Sequence, residues 1–380
     1  MRIAIVVRIL WSAGTQKFAI LQAKALAKAG HSVEIIFLRK TTNGNVYDDL
    51  LKDMNYKILS ERNGSLFVPI FDWITGIFMS NRKGEGRVDY NLIKMFPKYA
   101  LNRFDLIICQ DQWAGLAGYY TWKKYKTPYF VIIHERVNKI PWVTGVRRIM
   151  AWFALHYQKV VLLKAAKVLS MTRKVADTVN DMYSKYNINC VYDFPGLDNK
   201  TFTVYSEKSN NIALVSYWNE VKFPEMYIDL FERLDNYTFL MIGNWISDSY
   251  RDYFIKKLKD RGVFEKVRFI SGLSESEKDR IISKCKFYVR LGKGEYGPGY
   301  GSIEALELGA PLIINRELGL SDFLLDYKCA LIVDDSSKTN EILSFIREND
   351  NPDRYLLLQS EIKRFIKINS WESHVETLME

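Results

Sequence analysis

The sequence predicts an α/β protein made of two Rossmann-like domains facing a central cleft. Three observations predict it. Short apolar runs rich in Ile and Val alternate with stretches of helical periodicity along most of the chain. One turn-rich segment near the middle interrupts that alternation. The length, 380 residues, suits two domains of ordinary size.

The first run, Arg2 to Val7, has no polar alternation, as expected of a parallel strand buried on both faces. A loop with Ser12, Ala13 and Gly14 follows, then a helix from Thr15 to Ala29 with Ala19, Ala23, Leu26 and Ala27 at helical spacing. Gly30 is its natural stop, and Val33 to Leu38 completes a β-α-β unit. Strands are next expected at Asp105–Cys109, Tyr129–Ile133 and Val168–Met171, with helices at Trp113–Tyr125, Leu155–Lys167 and Arg173–Tyr186. The segment Tyr192 to Phe202, with its Pro195-Gly196 pair, is the expected linker. This places one domain at 1–192 and the other at 203–368, with a closing helix at 369–380.

The second alternation begins at Ile212. Its strands are expected at Ile212–Ser216, Thr238–Ile242, Val267–Ile270, Phe287–Arg290, Pro311–Asn315 and Ala330–Val333. Helices are expected near Pro224–Leu234, Ser249–Arg261, Glu275–Ser283 and Ser302–Leu308.

Apolar residues make up 48% and charged residues 26%, which supplies enough apolar mass for two cores. Cys109, Cys190, Cys285 and Cys329 form no C-x-x-C pair, so they read as buried reduced thiols and not as a disulfide framework or zinc site. The amino terminus turns polar too soon for a signal peptide, and no run reaches the roughly 18–20 apolar residues of a spanning helix. A cytoplasmic location is the expectation. Net charge is +10, which fits nucleic acid, an anionic membrane surface or a phosphorylated small molecule. The basic residues are scattered and form no arm, which argues against nucleic acid.

The stretch Gly292 to Pro311, GKGEYGPGYGSIEALELGAP, is the richest in chemistry. Five glycines, Gly292, Gly294, Gly297, Gly299 and Gly301, lead into a helix expected to start at Ser302 as its N-cap and to stop at Gly309. Glycines let a ligand approach the backbone, and a helix N-terminus offers unpaired N–H groups, a combination suited to a pyrophosphate. Glu304 is expected in the first turn of that helix. The plain alternative is a capped helix bearing a solvated acid.

These residues resemble the GT-B glycosyltransferases of the retaining group that carries two glutamates with seven residues between them, with a signature close to E-G-F-G-x-x-x-x-E-A-M-A-x-G-x-P-V-I. Gly297 and Gly299 fall on its two glycines, Glu304-Ala305-Leu306 on E-A-M, and Gly309 to Ile313 on G-x-P-V-I. Further likenesses are Arg2–Gly14 with LAKAGHSV (26–33), FDLIICQDQWAGL (104–116), TPYFVIIHERV (127–137) and FPGLDNKTF (194–202). The resemblance implies a two-domain enzyme that moves a sugar, with retention, from a nucleoside-diphosphate donor to a glycan, lipid-linked or protein-linked hydroxyl. No cofactor is implied.

Residue by residue, the resemblance puts Glu304 on the donor ribose. Gly14, Gly299, Tyr300, Gly301 and Ser302 then lie along the donor, and Gln110 and Asp111 face the acceptor. The first glutamate departs from the pattern: the seven-residue gap lands on Tyr296, and Glu295 is one position off. The family's phosphate-binding G-R-x-x-x-x-K corresponds to Ser216–Lys222, where Lys222 keeps the lysine and Tyr217 replaces the arginine. Arg290 or Lys293, beside the glycine loop, are the substitutes to consider, against the alternative that both are surface cations.

His134 is the histidine singled out for catalysis, because it follows a strand end and ligands of open α/β sheets bind there. A hydrogen-bonded core histidine is the alternative. His31 reads as structural, and His156 and His374 as background. No D-x-D triplet occurs in the chain, so no catalytic metal is expected. Basic, aromatic stretches at Ile140–Phe153 and Ser65–Lys83 raise a peripheral contact with anionic membrane. Two rivals stay open: a nucleotide-sugar epimerase on the same fold, and a degenerate relative that binds nucleotide or glycan without turnover.

Overall fold

The computed structural model describes residues 1–10, 14–40, 47–60, 90–134, 155–220, 222–292, 295–334 and 338–380. They divide into two compact units, Met1–Pro195 with His374–Glu380, and Gly196–Ser373.

The first unit holds a seven-stranded parallel sheet ordered β3-β2-β1-β4-β5-β6-β7. Its opening β-α-β unit is β1 (Arg2–Leu10), α1 (Gly14–Lys28) and β2 (Ser32–Lys40). Then come β3 (Tyr56–Ser60), α2 (Tyr90–Ala100), β4 (Leu106–Gln110), α3 (Gln112–Tyr125) and β5 (Tyr129–Ile133). The unit continues with β6 (Lys167–Ser170), α4 (Arg173–Met182) and β7 (Cys190–Tyr192). β1 and β4 are buried almost throughout, which is why their sequences show no alternation.

The second unit holds a six-stranded parallel sheet ordered β10-β9-β8-β11-β12-β13. Its strands are β8 (Ser209–Val215), β9 (Thr238–Ile242), β10 (Val267–Ile270), β11 (Cys285–Arg290), β12 (Leu312–Asn315) and β13 (Ala330–Val333). Its helices are α5 (Ile228–Arg233), α6 (Asp248–Asp260), α7 (Glu275–Ser283), α8 (Tyr300–Glu307), α9 (Thr339–Asn349) and α10 (Pro352–Ile368). The core is unusually aromatic: Trp218, Tyr227, Phe231, Phe239, Phe254, Phe287 and Tyr355 are all fully buried in it. Phe231 and Phe239 meet at 4.4 Å between ring centroids. Each such ring contributes roughly 1.5–3 kcal/mol of apolar burial.

Several expected boundaries are corrected. The helix expected over Arg173–Tyr186 ends at Met182, and a short 3-10 turn, Ser184–Tyr186, follows. The one expected over Pro224–Leu234 is a 3-10 turn, Pro224–Tyr227, running into α5, because Phe223 at φ 39° tightens the entry. β3, α2, β7, α9 and α10 have no counterpart among the elements expected from the sequence.

The closing helix, α11 (Trp371–Met379), is shared: residues from His374 onward pack with the first unit. Lys167 on β6 donates to Thr377 O at 2.6 Å and to Leu378 O at 3.4 Å, satisfying carbonyls that a helix end leaves unpaired. All four cysteines are free and buried. Burial pushes the Cys190, Cys285 and Cys329 thiols up to about 12, so they are inert near neutrality. Among the described residues no helix is long and apolar enough to cross a membrane.

Candidate active site

In each sheet the strand order reverses between two neighbours, β1 and β4 in the first unit and β8 and β11 in the second. Ligands of open α/β sheets bind beyond the carboxyl ends of strands at such a reversal. In the second unit Arg290, the last residue of β11, lies there. Its Nη1 reaches the carbonyl of Val215, the last residue of β8, at 3.4 Å.

Arg290 is buried and bound to Glu295, with Nη2 2.8 Å from Oε1 and 2.6 Å from Oε2. Lys222 Nζ lies 2.6 Å from the same Oε1. Burial works against charge on both Arg290 and Glu295. Their mutual attraction and Lys222 prevail, so the guanidinium is held above its usual range and the carboxyl below its own. Two cations against one carboxylate leave this cluster net positive, with Arg290 buried and Lys222 and Glu295 partly exposed. Lys222 is fixed from below: its N–H bonds Asn219 Oδ1 at 2.9 Å and Asn219 O at 3.0 Å.

The backbone at the base of the glycine loop is laced in place. Tyr227 Oη donates to Leu291 O at 2.8 Å and accepts from Leu291 N at 2.9 Å. The Asn315 amide bonds both the N–H and the carbonyl of Gly292. Gly319 N–H bonds Gly297 O at 3.0 Å. Lys293, a candidate beside the glycine loop, and Gly294 lie outside the described residues.

The helix after the loop starts earlier than expected, at Tyr300, and the cap is Gly299, not Ser302. Gly299 sits at φ +67°, a left-handed conformation open to glycine, and a Cβ there would meet Leu318 Cδ1 at 2.9 Å. Ser302 is the third helical residue and fully buried. Glu304 therefore lies beyond the first turn, and a neighbouring side chain holds it instead of the helix end. Lys278 Nζ is 3.0 Å from Glu304 Oε1 and bridges to Glu275 at 2.9 Å. Gly309 ends the helix as expected. At φ +71° its N–H bonds Leu306 O at 2.9 Å, and Ala310 N–H bonds Ala305 O at 2.9 Å.

In the first unit, His134 follows the last residue of β5 and is buried, with Nε2 2.8 Å from Gln110 Oε1. Burial holds its pKa down to about 3, so the ring is neutral near pH 7. Gln110 ends β4 fully buried, its Nε2 donating to Gln22 Oε1 at 2.7 Å. Asp111 caps α3: its Oδ1 accepts from Trp113 N at 2.8 Å and Ala114 N at 2.7 Å. Burial raises the Asp111 pKa, opposed by Arg8 and by those two N–H groups. Gly14 is the first residue of α1. The structure thus gathers Lys222, Arg290 and Glu295 into one cluster and His134 and Gln110 into another. The basic aromatic stretches at 65–83 and 140–153 lie outside the described residues.

Lys278, Tyr227 and Asn315 were not foreseen. A lysine four residues after an N-cap, with acids around it, carries no sequence signal that separates it from a surface ion pair.

Residues 199–355 match the family described as Glycosyl transferases group 1. This stretch is similar to a group 1 glycosyltransferase domain. Its bounds enclose Lys222, Arg290, Glu295 and Glu304. Solved structures share the whole fold. Anabaena HepE in complex with UDP and glucose is 13% identical, with a TM-score of 0.76 over 100% of this chain and 98% of that one. The sucrose-phosphate synthase of Thermosynechococcus elongatus is 15% identical, with a TM-score of 0.72 over 100% and 97%. A variant of S. aureus TarM in complex with fondaparinux, α-GlcNAc-glycerol and UDP is 13% identical, with a TM-score of 0.72 over 100% and 99%. At these identities the likeness establishes the GT-B fold. No curated protein sequence matches the chain.

Proposed function

We propose that this protein is a glycosyltransferase that takes its sugar from a nucleoside-diphosphate donor, with retention of anomeric configuration and without a catalytic metal. The observation that carries the reading is the net-positive cluster of Lys222, Arg290 and Glu295, with Arg290 buried and the other two partly buried, beyond the switch point of the second unit's sheet. Transfer generates negative charge on the departing diphosphate, and fixed cations in a water-poor site stabilise it most. Arg290, reaching across from β11 to the end of β8, is read as the substitute for the arginine that Tyr217 displaces.

Glu304 would accept the ribose hydroxyls, steadied by Lys278. The glycine-loop backbone around Gly299, Tyr300, Gly301 and Ser302, with Lys293 and Gly14, would line the donor. Glu295 and His134 are the candidates for the transferred sugar and the reacting hydroxyl. Asp111, beside Gln110, stays the candidate for the acceptor side, a glycan or a lipid-linked hydroxyl. HepE is seen with UDP and glucose, and TarM with UDP and glycans, which makes UDP-sugars the first donors to try. A peripheral contact with anionic membrane is part of the proposal, and absence of binding to anionic liposomes at low salt would remove it.

The second reading, a relative that binds nucleotide without turnover, is favoured by Tyr217. A thermal-shift and hydrolysis screen against nucleotide-sugars separates the two, with Glu304→Ala beside the wild type. Stabilisation and slow release of nucleoside diphosphate, both lost in Glu304→Ala, support transfer. Stabilisation with no release under any acceptor favours the binder, and no stabilisation by any donor sinks the donor site.

A further inference from the structure

A chain of buried polar side chains runs through the first unit away from His134. His134 Nε2 is 2.8 Å from Gln110 Oε1, and Gln110 Nε2 donates to Gln22 Oε1 at 2.7 Å. Gln22 Nε2 is 2.9 Å from His374 Nε2. His374 Nδ1 is 2.8 Å from Asp193 Oδ2 and 3.2 Å from Phe194 O. Gln22 and Gln110 are fully buried, and His134, His374 and Asp193 are each at most 8% exposed.

Donor chemistry gives this chain one direction. Gln22 offers Oε1 to Gln110 and must therefore turn its NH2 to His374, whose Nε2 can only accept it. The His374 proton then sits on Nδ1, facing Asp193 and Phe194 O. On the other side, Gln110 spends its NH2 on Gln22 and presents its oxygen to His134, so the His134 proton sits on Nε2 and the lone pair on Nδ1. Every hydrogen bond points the same way, the arrangement in which neighbours polarise one another most.

Packing supports the chain. Phe18 and Gln22 lie one turn apart on α1. The Phe18 ring stands edge-on between the two imidazoles, 5.3 Å from His134 and 5.5 Å from His374. The far end of the chain is made of Asp193, Phe194 and His374. They flank the two places where the chain passes between units, Pro195 to Gly196 and Ser373 to His374.

We propose that Gln22 and His374 are positioning residues that lock His134 in its Nε2–H tautomer and tie that ring to both crossings of the chain. Without Gln22 the Gln110 amide is free to turn over and offer its NH2 to the ring, which moves the proton to Nδ1. The kinetic consequence rests on the transferase reading; the tautomer does not.

The test is nitrogen NMR of the histidine rings in the full-length protein. The wild type is expected to show His134 protonated on Nε2, and a wild-type ring protonated on Nδ1 would overturn the proposal outright. Gln22→Met and His374→Phe, on different helices, are expected to shift His134 towards a mixture of tautomers. His374→Gln, which keeps one acceptor and one donor, is expected to restore the lock. An unchanged His134 signal in either folded variant also overturns it. If the protein turns over a donor, kcat falls roughly tenfold at constant KM in the two breaking variants, the scale of one oriented hydrogen bond. Absence of any turnover would count against the transferase reading and leave the tautomer result standing.

Discussion

Arg290 holds Glu295 with a single nitrogen: Nη2 lies 2.8 and 2.6 Å from the two carboxylate oxygens, while Nη1 points to the Val215 carbonyl. A guanidinium that used both nitrogens on the carboxylate would be fully committed to it. This one keeps part of its fork directed at the strand ends where a diphosphate would bind. Glu295 is thus a resident anion on the two cations proposed to receive the diphosphate.

Glu295→Gln is therefore expected to act in opposite directions on stability and on anion binding. It leaves the buried charge of Arg290 without its carboxylate, which costs about 2–4 kcal/mol of folding free energy. The same change removes the competitor for a diphosphate. Pyrophosphate or UDP should raise the melting temperature of the variant by more than that of the wild type. An equal or smaller rise would show that Glu295 does not compete for the phosphate position.

His134 makes stability depend on pH. Its folded pKa is held down to about 3, against an ordinary value near 6.5. Between those values the unfolded chain binds a proton that the folded protein refuses. The contribution is complete above about pH 6.5 and is lost as pH falls towards 3. Urea denaturation between about pH 7.5 and pH 4.5 should show a shallower decline for His134→Gln than for the wild type. Parallel declines would mean that the ring is not kept neutral by burial.

The central strands were legible in the sequence because parallel strands buried on both faces are written as nearly unbroken apolar runs: Tyr129–Ile133 and Thr238–Ile242 match the expectation residue for residue. Val267–Ile270 and Ala330–Val333 match as well, although they are half-exposed strands at the sheet edges. β3 escaped because YKILS is half-exposed at the sheet edge and breaks the pattern. The cap at Gly299 escaped for a different reason. Ser302 has the side chain that propensity favours, but a left-handed glycine starts the helix three residues sooner. His374 escaped entirely. One histidine in an amphipathic closing helix carries no local mark of a partner 352 residues away, Gln22.

Two left-handed glycines separate backbone strain from crowding. Gly262 has φ +68° and nothing within 4 Å of a Cβ, whereas at Gly309, φ +71°, a Cβ would come within 2.4 Å of Phe202 Cγ. Gly262→Ala should cost about 1–2 kcal/mol, the strain alone. Gly309→Ala should exceed it by about 1–3 kcal/mol, because the Phe202 ring must also move. Denaturant midpoints measure both, and equal losses would show that Phe202 yields freely.

Lys278 offers the last discriminating change. Its Nζ lies 3.0 Å from Glu304 Oε1 and 2.9 Å from Glu275 Oε1, so it neutralises the acid proposed to hold the ribose. Lys278→Met keeps the length of the stem but leaves two acids facing each other. Glu304 is then expected to turn away or to take up a proton, and UDP affinity to fall about tenfold, the loss of one charge-assisted hydrogen bond. Glu304→Gln should weaken UDP by a similar factor. If Lys278 acts only through Glu304, the double variant is expected to bind UDP about as well as either single one. Full additivity in calorimetry would instead give Lys278 a contact of its own with the nucleotide.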